Sequence, residues 1–165
     1  MTGNNDLIAA AYRKDRRTFE RLLDAGADIN VTDEDARTVL MHAVLDSDPD
    51  PSFIRYLLEQ GAAPDIADAN QRWTALHFAA QAQQPDVVAM LIEAGAKIDA
   101  QDVFGNTPLW RAVMVPRPNP AVVELLVSAG ADPAKKNFHG VSPISLAEKR
   151  GLADLQGLLQ AKRRP

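Results

Sequence analysis

Apolar residues recur along this chain in columns about one third of a hundred residues apart. Gly-Ala stands at Gly26-Ala27, Gly61-Ala62, Gly95-Ala96 and Gly130-Ala131, in steps of 35, 34 and 35 residues. An apolar pair precedes each: Leu22-Leu23, Leu57-Leu58, Leu91-Ile92 and Leu126-Val127. A second column runs Leu7, Leu40, Leu76, Leu109 and Ile144, and each member is followed three residues later by an alanine: Ala10, Ala43, Ala79, Ala112 and Ala147. A period of roughly 20–50 residues is the mark of a stacked array, in which one unit buries its apolar side only against the next.

Within a unit the pattern predicts two helices. Thr74, Thr107 and Ser142 suit the N-cap, and Pro108 and Pro143 follow two of them at the first helical position, where no amide hydrogen is needed. The small alanine of the first helix lets a neighbour approach closely. A second start is read at Asp50-Pro51, Gln84-Pro85 and Asn119-Pro120, and Val87, Val88, Leu91 and Ile92 carry helical spacing after it. The glycine of Gly-Ala suits the left-handed residue past the helix end. A polar, turn-rich stretch such as 100–106 then leads to the next unit.

Two segments, Thr74-Ala-Leu-His-Phe-Ala79 and Thr107-Pro-Leu-Trp-Arg-Ala112, resemble the T-P-L-H-x-A motif of ankyrin repeats. Ala25-Gly-Ala-Asp-Ile-Asn30 and Ala94-Gly-Ala-Lys-Ile-Asp99 are similar to that family's second signature. The resemblance runs from about residue 5 to 160. It implies an all-α ankyrin-repeat solenoid: about five helix-turn-helix units with short β-hairpin-like loops between them, forming a single domain over 1–165. The units are read as 5–31, 32–66, 67–100, 101–136 and 137–160. The first lacks a preceding loop and the last lacks Gly-Ala, so both are expected to be end caps.

The repeats are not uniform. Two extra residues fall within Asp46–Pro51 and two more within Val115–Pro120, both rich in proline. These read either as stiffened helix connections or as binding embellishments. One further residue sits in the loop 67–73, just before Trp73.

Composition narrows the function. The chain has 165 residues, 46 % of them apolar, and 22 acidic against 18 basic side chains give a net charge of −4. That balance argues against a nucleic-acid partner, which selects for a basic field. There is no cysteine, hence no disulfide framework or thiolate metal site. The N-terminal segment has no basic, apolar leader pattern, and no apolar run reaches the ~18 residues of a membrane span. The expectation is a cytoplasmic monomer without membrane contact.

No catalytic signature appears: there is no nucleophile elbow, phosphate loop or dinucleotide fingerprint. His77 fills the histidine slot of the motif, where Met41, Trp110 and Ser145 stand in neighbouring units, and the resemblance implies a structural imidazole that ties loops together. The aspartates mostly sit at turn and cap positions. Asp46, Asp48 and Asp50 lack the glycine and final glutamate of a calcium loop, and read as a solvated acidic stretch. No metal, cofactor or catalytic residue is expected, and the chain is read as non-enzymatic. Lys162-Arg-Arg164 reads as a solvated tail.

Function is therefore sought where the columns leave positions free. In the family resembled, those are loop tips and the exposed side of first helices, lining a concave surface. The candidates for partner contact are Tyr12 in the first unit; Glu34, Asp35, Arg37, Leu45 and Asp46 in the second; Asn70, Arg72, Trp73 and Gln81 in the third; Phe104, Asn106, Trp110 and Met114 in the fourth; and Phe138 and His139 in the fifth. The aromatic members form an expected row of anchors, with Trp73 foremost; the competing reading folds Trp73 and Phe104 back onto adjacent loops. Acidic residues gather in the second unit, and Lys149 and Arg150 mark the fifth. The expected partner is a folded protein. The expected function is non-catalytic binding of that protein through the concave face, with an inhibitor, such as a toxin-neutralising immunity protein, as the narrower reading by family analogy; the alternative is a scaffold or regulatory subunit of a larger assembly.

Overall fold

A computed structural model describes residues 3–160; the basic tail Lys162-Arg-Arg164 lies outside the described residues. Among the described residues ten helices follow one another in five antiparallel pairs: α1 (Gly3–Tyr12) with α2 (Arg16–Asp24), α3 (Val39–Leu45) with α4 (Pro51–Glu59), α5 (Ala75–Gln81) with α6 (Pro85–Glu93), α7 (Pro108–Met114) with α8 (Pro120–Ser128), and α9 (Pro143–Lys149) with α10 (Ala153–Gln160). First helices pack in series, α1 on α3 on α5 on α7 on α9, and second helices pack as α4 on α6 on α8 on α10. The interface of α2 with α4 is much thinner than its counterparts.

The columns account for the core. Leu7, Leu40, Leu76, Leu109 and Ile144 are buried, and so are Ala10, Ala79, Ala112 and Ala147. Helices as short as the seven residues of α3, α5, α7 and α9 are too short to persist alone, so packing of these small, apolar faces must supply their stability. Caps then set the ends. Thr38, Thr107 and Ser142 accept from the backbone N–H groups of Met41, Trp110 and Ser145. Asp15, Asp50 and Asn119 cap the second helices through Thr18, Ser52 and Ala121. Gln84, expected to cap α6, does not; its Nε2 donates instead to the carbonyl of Val44, 3.2 Å away in the preceding unit.

Each of α2, α4, α6 and α8 stops at the glycine of Gly-Ala. At the first, Gly26 takes φ 89°, its N–H donates to Leu23 and that of Ala27 to Leu22, which closes the helix in a Schellman turn. Between units, the chain forms a hairpin-like loop. Among the described residues no strand develops there beyond one antiparallel bridge, Thr32 with Thr38.

The helix connections differ by unit. Those after α1, α5 and α9 are tight and include a left-handed residue, Lys14, Gln83 or Gly151. Those after α3 and α7 instead leave the helix in extended backbone, at Asp46 (ψ 143°) and Val115 (ψ 155°), and carry the proline insertions. The last carbonyls of these two helices are met by side chains from neighbouring units.

Candidate protein-binding face

Each loop is built on one side chain that holds its own backbone. Asp33 Oδ1 accepts from the N–H groups of Asp35 and Arg37, Asp68 Oδ1 from Gln71 and Trp73, Asp102 Oδ1 from Phe104 and Asn106, and Asn137 Oδ1 from His139 and Val141. The third loop spans one more residue between clamp and return, which is the extra residue seen before Trp73. Backbone bonds then join the loops in a row: Ala69 N–H to Asp35, Val103 N–H to Gln71, and Phe138 N–H to Phe104, at 2.8–3.0 Å. The tips are thus displayed at fixed spacing by main-chain geometry, not by their own side chains.

On that frame Phe138 (72 % exposed), Tyr12 (62 %), Phe104, Met114 and Leu45 stand out as large apolar groups in solvent, with Val103 beside Phe104. Phe104 and Phe138 come together at the C-terminal loops. The Phe138 ring lies so close to Gly105 that a β-carbon there would meet it at 2.8 Å. Glu34, Asp35, Asn70, Arg72, Gln81 and His139 are also exposed, and Asn70 Nδ2 donates to Asp35 Oδ1 across two loops.

Four candidates, and Arg150 beside them, sit differently from expectation. Asn106 is only 4 % exposed. Its Nδ2 donates to Asp102 and its Oδ1 accepts from Asn137 Nδ2 at 2.8 Å, so it is a loop-to-loop tie and not a contact residue. Trp73, expected to project as an anchor, is half-buried: its ring packs on Phe78 (5.0 Å) and His77 (6.2 Å), and the Arg111 guanidinium lies 4.4 Å above it. Trp110 is half-buried and borders the same guanidinium at 5.4 Å. Arg37 is half-buried as well, over Phe78 and 3.8 Å from Asp68. Arg150, read as a cation for a partner, is engaged internally, with Nη1 donating to the carbonyls of Val113 and Val115.

The central cluster explains these placements. Arg111 donates to Asp102, whose side chain is fully buried. Burial alone would raise the Asp102 carboxyl, but the Arg111 guanidinium and the N–H groups of Asn106 and Phe104 outweigh it and hold the group below the usual carboxylate range. His77, also buried, accepts from the Thr74 N–H at Nδ1, which leaves Nε2 to donate to the Asn106 carbonyl. Desolvation pushes this imidazole down to about 4. It is a neutral crosslink between loops, as the motif slot implied.

The corresponding site in the second unit uses different residues. His42 takes the place of Arg111 and donates Nε2–H to Asp33 at 2.8 Å; its Nδ1 accepts from the Tyr12 hydroxyl at 2.6 Å. Burial, then the Asp33 charge, push the Tyr12 phenol up, so it remains a protonated donor. Neither Arg111 nor His42 was singled out from sequence. The signal available was their shared register, two residues past Leu109 and Leu40, each nine residues after the loop aspartate.

The family model for three copies of ankyrin repeats matches residues 7–102, and that for a single ankyrin repeat matches 104–138. The chain belongs to the ankyrin-repeat family. Among curated relatives, rat (Rattus norvegicus) diacylglycerol kinase zeta is 39 % identical over 109 residues, 65 % of this chain and 11 % of that protein. Mouse (Mus musculus) ankyrin repeat domain-containing protein 63 is 37 % identical over 127 residues, 72 % of this chain and 31 % of the relative. Mouse NF-kappa-B inhibitor delta is 32 % identical over 100 residues, 56 % of this chain and 30 % of the relative. The chain therefore matches a minor part of each of these proteins, and the kinase match covers about a tenth of that enzyme. No helix among the described residues is long and apolar enough to cross a membrane. As an ankyrin-repeat array, the chain is a protein–protein interaction module.

Proposed function

We propose that this module acts without catalysis, as a monomer in the cytoplasm, and grips one folded protein through the concave side formed by its loop tips and first helices. The observation that carries the reading is the apolar group Val103, Phe104 and Phe138, held in solvent by the loop ladder and continued along the first helices by Met114, Leu45 and Tyr12. Exposed aromatic side chains on a rigid frame lose little entropy on binding and dominate interface energies. An inhibitor that covers its partner's working surface suits this arrangement; the name of NF-kappa-B inhibitor delta lends that reading support, and a toxin-neutralising immunity protein would be one version of it.

The test uses Phe104→Ser with Phe138→Ser. Both rings are exposed, so the double variant should melt within a few degrees of the parent while its affinity for a captured partner falls at least about tenfold. Unchanged capture would remove the loop tips from the interface. If the partner is a single enzyme inhibited one-to-one, the inhibitor reading stands; several partners without inhibition would replace it with a scaffold or regulatory subunit.

A further inference from the structure

Repeats 1 and 2 meet with a groove between them, whereas a side chain bridges the equivalent place between repeats 3 and 4. In the later pair, Gln83 closes the junction: its Nε2 donates to the carbonyls of Ala80 (2.6 Å) and Ala112 (3.2 Å), and its Oε1 accepts the Asn119 N–H. Lys14 occupies the same left-handed position in the first pair (φ 54° against 58°). An ammonium group has no acceptor to offer. Lys14 instead lies across the rim, half-exposed, donating to the Asp48 carbonyl and pairing with Asp46 at 3.4 Å. Behind it opens a cavity of about 410 Å³, floored by Ala11, Ala43 and Phe53, with Ala10 and Phe19 buried directly beneath. The thin contact between α2 and α4 leaves this space, and Phe19 meets Phe53 edge-on at 5.3 Å across it.

Charge separates the two junctions in the same way. Asp15 and Asp50 border the open groove where Gln84 and Asn119 stand at the closed one. Each aspartate caps its helix through Oδ1, and neither has an ion-pair partner among the described residues. Of the basic groups lining the groove, Lys14 pairs with Asp46, Arg16 with Glu20 at 2.9 Å and His42 with Asp33 at 2.8 Å, while Arg37 lies 3.8 Å from Asp68 without a hydrogen bond at Nε. The apolar floor and the two aspartates without ion pairs together match a long side chain with an apolar stem and a positive end. Arg150 gives an internal example at the other inserted connection, where its guanidinium clasps the carbonyls of Val113 and Val115.

We propose that the groove between repeats 1 and 2 is a socket for one arginine side chain of the partner protein. The stem lies on the alanine and phenylalanine floor, and the planar guanidinium meets Asp15 and Asp50, a geometry a fork of donors satisfies better than a single ammonium. This rests on the reading that the chain binds a protein.

The experiment is an NMR titration of the whole chain with N-acetyl-arginine methylamide. Saturable shifts should be confined to Ala10, Ala11, Ala43 and the Phe19 and Phe53 rings. The neutral isostere N-acetyl-citrulline methylamide and the lysine analogue should each bind about tenfold more weakly. Asp15→Asn with Asp50→Asn, which keeps both caps, should weaken arginine binding about as much. Lys14→Gln, which restores the plug seen at Gln83, should abolish it without touching either aspartate. Equal binding of citrulline or lysine, scattered shifts, or undiminished binding to Lys14→Gln would overturn the socket. The probe reads the groove and partner capture reads the module. Capture that persists without probe binding sinks the socket alone, and probe binding without any protein partner sinks the module reading alone.

Discussion

Repeats 1 and 2 join as repeats 3 and 4 do: a tight connection with one left-handed residue faces a longer, proline-containing connection. At the top of each pair a loop aspartate is bonded to a basic side chain nine residues on. The residues filling these equivalent places differ throughout. Gln83, Asn119 and the Asp102–Arg111 pair bridge the later junction with hydrogen bonds and pair its buried carboxylate with a guanidinium. Lys14, Asp15, Asp50 and the Asp33–His42 pair leave the earlier one open and rimmed with carboxylate. One backbone plan thus carries two differently built junctions, because the fold needs only the apolar columns and the backbone clamps. The side chains at the junction edges are free to seal it or to leave it available.

The sharpest separation should come from removing the basic partner in each pair. Arg111→Met leaves the fully buried Asp102 without its counter-ion and should cost about 3–5 kcal/mol in urea unfolding. His42→Leu removes the equivalent partner of Asp33, which keeps 28 % exposure and two backbone donors, and should cost no more than about 1 kcal/mol. Similar losses at the two sites would mean that the junctions are not energetically distinct.

Acid should then strain the closed half. His77 is lowered to about 4 in the fold against an ordinary 6.5, so the unfolded chain binds the extra proton first. The stability contributed by neutral His77 is complete above that ordinary value and is lost as pH falls toward the folded one, to a total of about 3 kcal/mol. Unfolding midpoints between neutral and mildly acidic pH measure it. His77→Gln, which can still reach back to the cap at Thr74, should flatten that part of the profile.

A smaller contrast concerns the plugs. Gln83→Ala strands the Ala112 carbonyl and the Asn119 N–H in a part-buried junction and should cost about 1–3 kcal/mol. Lys14→Ala removes an ion pair at a half-exposed rim and should change stability by less than about 1 kcal/mol. Equal effects in chemical denaturation would show that the first groove is sealed in solution as well.

The smallest effect lies in the loops. Ala36 holds the left-handed slot (φ 58°) that Gly105 and Gly140 fill elsewhere. Ala36→Gly should stabilise the fold by about 0.5 kcal/mol, since it removes a strained β-carbon at some entropic cost. Gly105→Ala should do the opposite in a thermal melt, because its new carbon would lie 2.9 Å from the Phe138 amide nitrogen.

The amino-acid order alone was enough for the periodic architecture. Columns of leucine and alanine, glycine at helix ends and proline after caps are local rules, and each acts within a few residues of where it is written. It also marked His77 as structural and located the two insertions and the extra loop residue before Trp73. Side-chain exposure at the loops was another matter. Asn106 and Phe104 stand two positions apart in the same loop, yet one ties loop to loop and the other lies in solvent. Trp73 turned inward because Arg111, 38 positions later in the chain, offers its ring a cation already fixed by a buried carboxylate. The groove under Lys14 likewise depends on how far α2 stands from α4 and on what reaches across from the next repeat. Such outcomes arise from groups brought together only when repeats stack, so spacing along one unit carries no record of them; tertiary packing alone decided which junction was bridged and which aromatic rings stayed exposed.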